Sequence, residues 1–337
     1  MTNRHQYVER HTRTVRTERL YGDRVVAFLY SRAWESAPTL FRLLTAAWSS
    51  RLLGFICYDA VLGSRFTGTE RFLRAHGIDL TECVESLPRL DTPRKLFERQ
   101  IRYWECRPMP EDPDAVVSPA DSRVLVGSLR ERSALFLKGK FFDYEELLGS
   151  ERRDWLRAFL NGDFAVFRLT PDKYHYTHVP ASGKVADVYD IAGSHHSCNP
   201  GAVVVLGTPH SKNKRVVTIL DTDVRDGSGA GIVAIVEVGA LMVGDIVQCY
   251  SEDRYDSPRP VARGMFLRRG CPKSLFRPGG STVVVLFQDG RVKFDDDLVS
   301  NMFRQGVGSR LSYGFGQPLA ETEVRVRSRV AIVTGRQ

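Results

Sequence analysis

At 337 residues the chain is long enough to bury a full core, and its length fits two domains or one elaborated one. Hydrophobic residues at 42% and charged residues at 26% are ordinary for a globular protein, which excludes a disordered chain, a collagen and a disulfide-stapled miniature. The 48 basic against 40 acidic residues give a formal charge of +8, which attracts nucleic acid, anionic lipid or acidic substrates without choosing among them.

Residues 1–20 are polar and dense in Arg and His, with no apolar stretch, so no signal peptide is expected. From about Thr17 to Arg107 the pattern is helical. Leu40, Leu43, Leu44, Ala47, Trp48, Leu52, Phe55 and Ile56 form an amphipathic stripe. It is read either as a core-packed helix or as one lying in a membrane interface. Pro38–Gly63 would be the best candidate membrane span, and Arg42, Arg51 and Asp59 break it. The Pro-rich run Arg107-Pro-Met-Pro-Glu-Asp-Pro113 ends this part.

Beyond it come short β-rich runs: 123–129, 134–137, 164–169, 202–206, 216–220, 232–238, 281–287 and 324–334. One helix is expected at Asp143–Leu148, stopped by Gly149. The expected architecture is therefore α+β, a helical region over 1–107 followed by a β-rich sandwich or barrel-like domain over 114–337. The Gly-rich Asp226–Gly231 lacks the Lys-Ser/Thr of a phosphate loop and reads as a turn. Six cysteines at wide, irregular spacing, without CxxC, read as reduced cytosolic thiols. His195-His-Ser-Cys198 lacks a fourth ligand at zinc-like spacing and is read as a polar loop, so no metal is expected. Asp295–Asp297 reads as a solvated turn.

Three places carry chemistry. Ser118-Pro-Ala-Asp121 alone is a turn aspartate. Tyr174-His-Tyr-Thr-His-Val-Pro180 sets His175 and His178 three apart among residues that favour strand or loop, and such a pair is more often structural than catalytic. Pro278-Gly-Gly-Ser-Thr282 places the Ser281 hydroxyl directly after two glycines, at the head of an apolar strand. Together they hold an orienting carboxylate, a general base and a nucleophile, the parts of a serine-type triad. No Gly-x-Ser-x-Gly elbow is present. A serine behind two glycines suits attack on its own preceding peptide bond.

From about residue 20 to 333 the sequence resembles the phosphatidylserine decarboxylase family of self-processing pyruvoyl enzymes. The blocks that carry this are Ser118–Asp121, Lys138–Gly149, Phe167–Pro180, Asn213–Val217, Val238–Ile246, Phe276–Val284 and Glu321–Val324, in order. The resemblance implies cleavage between Gly280 and Ser281, with Ser281 becoming a covalent pyruvoyl group. It implies His178 as the base for cleavage, Asp121 as the carboxylate that orients it, and His175 in decarboxylation. Decarboxylation of phosphatidylserine to phosphatidylethanolamine and CO2 would run through a Schiff base with the pyruvoyl ketone, which takes electrons as PLP does elsewhere.

The implied partners are phosphatidylserine in an anionic membrane surface, the cleaved small chain 281–337, and a second copy in a homodimer. The implied location is peripheral, on the cytoplasmic face of a membrane, and the resemblance tips the stripe at 40–56 toward an interfacial helix. Alternatives are a decarboxylase of a free amino acid such as tryptophan or of another serine-linked lipid, and an unprocessed lipid- or protein-binding relative. Nucleic acid is not expected, since no reading motif accompanies the basicity. The chain departs from the family at Ser122, Lys214 and Gly270-Cys-Pro-Lys-Ser-Leu-Phe276, where a Gly, a Glu, and an acidic residue with a Gly are usual. These departures leave Asp121, His178, Gly280 and Ser281 untouched and bear on substrate contacts.

Overall fold

The computed structural model describes residues 4–20, 78–131, 140–241, 245–279 and 281–334, with positions 23, 26, 30, 58, 133 and 137. The stripe at 40–56 and Gly280 lie outside the described residues.

In chain order the described strands begin with β1 (Gln6–Glu9), β2 (Thr14–Thr17), β3 (Ala115–Val117), β4 (Ser122–Ser128) and β5 (Asp163–Leu169). There follow β6 (Tyr176–His178), β7 (Gly183–Ile191), β8 (Arg215–Asp221), β9 (Ile232–Gly239), β10 (Ile246–Gln248) and β11 (Phe266–Leu267). The last five are β12 (Pro272–Phe276), β13 (Ser281–Phe287), β14 (Val292–Phe294), β15 (Glu321–Val324) and β16 (Arg329–Val333). Ten of them form one sheet, ordered β11-β7-β8-β9-β13-β5-β4-β15-β1-β2. Two three-stranded sheets, β10-β12-β6 and β14-β16-β3, complete the β structure among the described residues. The large sheet ends in edge strands β11 and β2, so the barrel-like expectation is corrected to open sheets in an α+β fold.

Alternation along the central strands explains the layering. On β13, Val283, Val285 and Phe287 enter one core while Val284 and Leu286 enter another. On β5 the split is Ala165, Phe167 and Leu169 against Phe164 and Val166, as side chains of period two require. The first core is closed by the small sheets, through Val116, Phe276, Phe294 and Ala331. The second is closed by helices, through Leu147 and Leu148 of α3 (Tyr144–Leu148), Val203 of α5 (Pro200–Leu206), Met302 of α7 (Asp296–Met302) and Leu311 of α8 (Arg310–Phe315). Covered on both sides, β13 is buried at all seven positions, and that is why it reads as an unbroken apolar run.

The expected helical region over 1–107 is corrected at its start. Residues 6–17 are β1 and β2, with β1 parallel to β15 and antiparallel to β2. Over 78–107 stand two 3-10 turns and two short helices, α1 (Pro93–Phe97) and α2 (Tyr103–Cys106). His5, Glu18, Arg123, Arg168 and Glu321 form a buried cluster that fixes the amino-terminal arm to the sheet.

Three further readings change. Residues 202–206 belong to α5, not to a strand. The Asn199 side chain caps the helix by accepting from the Gly201 N–H, Pro200 opens it and Gly207 follows it, and these stop signals outweigh three consecutive valines. The run 324–334 is two strands, β15 and β16, joined by a turn at Arg325–Ser328. Asp295 is no solvated turn, because it lies at the start of α7 and pairs with Arg10 and Arg329. The helix at 143–149 forms as read, with Asp143 accepting from the Glu146 N–H.

Candidate active site

Ser281 opens β13 between Leu169 of β5 and Gly239 of β9. It is in phase with Val283 and Val285, so its side chain faces the layer closed by the small sheets. Gly239, directly opposite, contributes no side chain. The Asn213 amide fixes that end of β9, donating to the Gly239 carbonyl at 2.8 Å and to the His196 carbonyl at 2.9 Å. Gly279, two residues before Ser281, holds φ at +139°, which an L side chain would strain. Ser281 is fully buried and its Oγ has no hydrogen-bond partner among the described residues. A buried hydroxyl without a partner is costly, so its position needs a reason other than stability.

β6 belongs to the small sheet facing that layer. Around this strand Tyr174, Tyr176 and His178 meet an aromatic cluster with Tyr103 and Tyr255, whereas Val179, just past its end, enters the core shared with β13. Thr177 is in phase with Val179. The two histidines have different neighbours: His175, just before the strand, stacks on Phe97, and His178, its last residue, meets Tyr103 and Tyr174.

His175 donates from Nδ1 to the Lys173 carbonyl at 2.8 Å and stacks on Phe97, with ring centroids 3.6 Å apart. That leaves its Nε2 lone pair as the basic site, and this atom is buried without a partner among the described residues. His178 donates from Nδ1 to the Gly270 carbonyl at 2.9 Å, and its Nε2 accepts from the Tyr174 hydroxyl at 2.9 Å. Tyr174 in turn meets the Tyr255 hydroxyl at 2.8 Å. Burial pushes both imidazoles down to about 3, with the Arg99 charge adding to the effect at His175 and the Gly270 carbonyl opposing it at His178. Both are neutral, with Nε2 as the basic nitrogen.

Asp121 is also buried, but its carboxylate is not bonded to His178. It accepts from Arg107 Nε at 3.0 Å and Nη2 at 2.7 Å, and from the Val326 N–H at 2.7 Å. Arg107 reaches on to both oxygens of Glu82 at 2.8 and 2.9 Å. Burial pushes the Asp121 pKa up and Arg107 more than offsets it, so the carboxyl stays ionised below its usual range. Here the structure differs from the expected triad: Gly270 and Tyr174 hold the His178 ring, and Asp121 stands behind it within its field.

Sequence reasoning singled out none of Arg107, Gly270 or Tyr255 for these contacts. Arg107 had been read only as the end of the helical part, and the Gly270 contact is made by a backbone carbonyl, which no side-chain pattern announces. His195 and His196 lie in a buried loop. Among the described residues only His5, Glu18 and Glu321 could converge on a metal ion, and Arg168 and Arg123 already pair with those carboxylates.

Ser281 is thus sealed inside the core at the head of β13, its side chain facing the small sheets. The phosphatidylserine decarboxylase family profile matches residues 94–313. The phosphatidylserine decarboxylase proenzyme of Chlamydia caviae is 31% identical over 320 residues, covering 94% of this chain and 99% of that protein. The proenzyme of Fusobacterium nucleatum is 26% identical over 303 residues, covering 88% of this chain and 91% of its own. Proenzyme 2 of Oryza sativa is 34% identical over 243 residues, 69% of this chain and 36% of the longer rice protein. The chain belongs to the phosphatidylserine decarboxylase family.

Proposed function

We propose that the chain cuts itself between Gly280 and Ser281 and then decarboxylates phosphatidylserine to phosphatidylethanolamine and CO2. The observation that carries the reading is the buried, unpartnered Ser281 hydroxyl at the head of a central strand, in a chain of this family. In the first reaction Ser281 Oγ attacks the Gly280 carbonyl carbon. Its proton passes to a neutral imidazole, and the acyl group moves from nitrogen to oxygen.

We assign that proton to His178 on the family resemblance, with the Asp121 carboxylate favouring the imidazolium; because Tyr174 holds its Nε2 and Gly270 its Nδ1, the ring has to leave these partners to reach Ser281. The pyruvoyl group fits, because among the described residues the Ser281 side chain leaves no hydrogen bond behind when it is converted. Such a ketone supplies the electron sink that no ordinary side chain offers to a substrate α-carbon. His175 serves the decarboxylation: its Nε2 has no hydrogen-bond partner among the described residues.

A phospholipid substrate places the work at a membrane surface, where the +8 balance favours an anionic leaflet. No helix among the described residues is long and apolar enough to cross a membrane, so the proposed attachment is peripheral.

The intact denatured mass of the purified protein tests this. We expect fragments of roughly 31 and 6 kDa at about 110 Da per residue. The small one should weigh about 17 Da less than a serine-terminated chain, because its nitrogen leaves as ammonia. Ser281→Ala and His178→Ala should each leave one uncut chain, whereas His175→Ala should cut and yet release little CO2. Failure of His175→Ala to cut would overturn the division between the histidines.

A further inference from the structure

A second buried polar group lies on the same side of the sheet as Ser281. Glu237 sits opposite Val283 in the β9–β13 register, and the same register sets Gly239 opposite Ser281. Glu237 is therefore the diagonal neighbour of Ser281, about 7 Å away between β-carbons. It is fully buried, as is Lys273. Lys273 Nζ donates to Glu237 Oε2 and to Gln248 Oε1, each at 2.8 Å, and Gln248 Nε2 closes the ring onto Glu237 Oε2 at 2.8 Å. Ser274 Oγ donates to Glu237 Oε1.

The placement of Lys273 is local in origin. Pro272 pairs with His178 and Ser274 with Thr177, so Lys273 is the extra residue of a bulge on β12. A bulge re-aims the side chain it carries, and here the ammonium turns inward onto β9. Thr177, opposite Ser274, shares that inward face. Its hydroxyl is fully buried and has no partner among the described residues.

Stability does not explain the arrangement. A buried ion pair is commonly no better than apolar residues of the same volume. An ammonium has three N–H donors, and two find acceptors among the described residues. One N–H of Lys273 and the hydroxyl of Thr177 are thus unspent in the layer that Ser281 faces.

We infer that Lys273, braced by Glu237 and Gln248, and Thr177 form the subsite for the phosphodiester of the substrate. This rests on the reading of the chain as a phosphatidylserine decarboxylase. The choice between the two anionic groups of that lipid follows from charge. The carboxylate loses its charge as CO2 departs, so an ammonium bound to it would hold the ground state more tightly than the transition state and slow the reaction. The phosphodiester keeps its charge throughout. A contact there binds both states alike and shows in KM, not in kcat.

The test uses the full chain, with Lys273→Met and Glu237→Leu combined so that no buried charge is left unpaired, and Thr177→Val as a near-isosteric second variant. Both should still give two fragments. With phosphatidylserine in mixed micelles, KM should rise about tenfold in the paired variant and severalfold in Thr177→Val, with kcat within about twofold. Glycerophosphoethanolamine, which has the phosphodiester and no carboxylate, should bind the processed wild type and lose about tenfold in affinity to the paired variant by calorimetry.

A change in kcat at constant KM would assign the ammonium to the carboxylate and overturn the inference. Unaltered KM and unaltered glycerophosphoethanolamine binding in both variants would do the same. A wild type that binds the probe but releases no CO2 from phosphatidylserine would sink the proposed reaction and leave the subsite standing. If the paired variant does not fold, Thr177→Val decides.

Discussion

The two faces of the ten-stranded sheet are built from the same strands and serve opposite ends. The helix-covered face takes Phe164, Val166, Val236, Val284 and Leu286 against α3, α5, α7 and α8, a layer of apolar side chains. The face under the small sheets has an equally dense apolar floor in Phe167, Val283 and Val285. At the Ser281 end that floor gives way to Ser281, Glu237, Lys273, Ser274, Thr177 and His175, all buried. The difference is produced by single residues out of step with an apolar alternation, at the ends of β13 and β9 and at one bulge in β12. Packing sets where the strands lie, and the exceptions set where chemistry is possible.

Removing a ring from the helix-covered face should have the largest effect on folding and the least on chemistry. Phe164 is fully buried against Phe142, so Phe164→Ala should cost about 3–5 kcal/mol in chemical denaturation, while the folded fraction still cuts itself. Loss of cleavage in a folded Phe164→Ala protein would show that the two faces are not separable.

Asp121→Asn tests the other side more gently. The variant keeps the shape but weakens the bonds from Arg107, which retains Glu82, so a loss of about 2 kcal/mol is expected. It should also slow cleavage at neutral pH, since the carboxylate no longer favours a protonated His178. Normal cleavage in Asp121→Asn would make Asp121 an anchor for Arg107 and nothing more.

How much of this was legible in the sequence follows the same division. β5, β9 and β13 stand out because strands covered on both faces must be apolar throughout, and Ser281 is conspicuous at the head of such a run. That His175 and His178 meet different partners does not follow from their spacing, because His175 lies outside β6. What was hidden depends on partners far apart in the chain. Arg107 meets Asp121 across a chain reversal, and Lys273 meets Glu237 across two sheets. Residues 202–206 were misread because local caps, not side-chain preference, decide a seven-residue helix. The amino-terminal strands were missed because β2 is an edge strand, largely exposed, with no apolar alternation to announce it.

The smallest effect separates burial from function. His210, in α6 (Pro209–Lys212), is buried on the helix-covered side, lining a cavity of about 10 Å³ with Phe141, Val203 and Leu311. Burial, with the Arg168 charge adding to it, pushes its pKa down to about 4, and its Nδ1 has no partner among the described residues. By titration alone it resembles His175. The sign of the linkage is fixed: the unfolded imidazole takes a proton near pH 6.5 and the folded one does not until about pH 4. Its contribution to stability is therefore whole above pH 6.5 and drains away as pH falls toward 4. Over that window His210→Gln should flatten the dependence of unfolding free energy on pH by up to about 1.4 kcal/mol per unit, and it should leave cleavage at pH 7 intact. A flattened slope with normal cleavage would mean that a depressed imidazole is only the mark of a dry environment on either face. What distinguishes His175 would then be its place beside β6 and Phe97, not its titration. If His210→Gln abolished cleavage instead, the chemistry would run through the sheet, and the contrast between its two sides would fail.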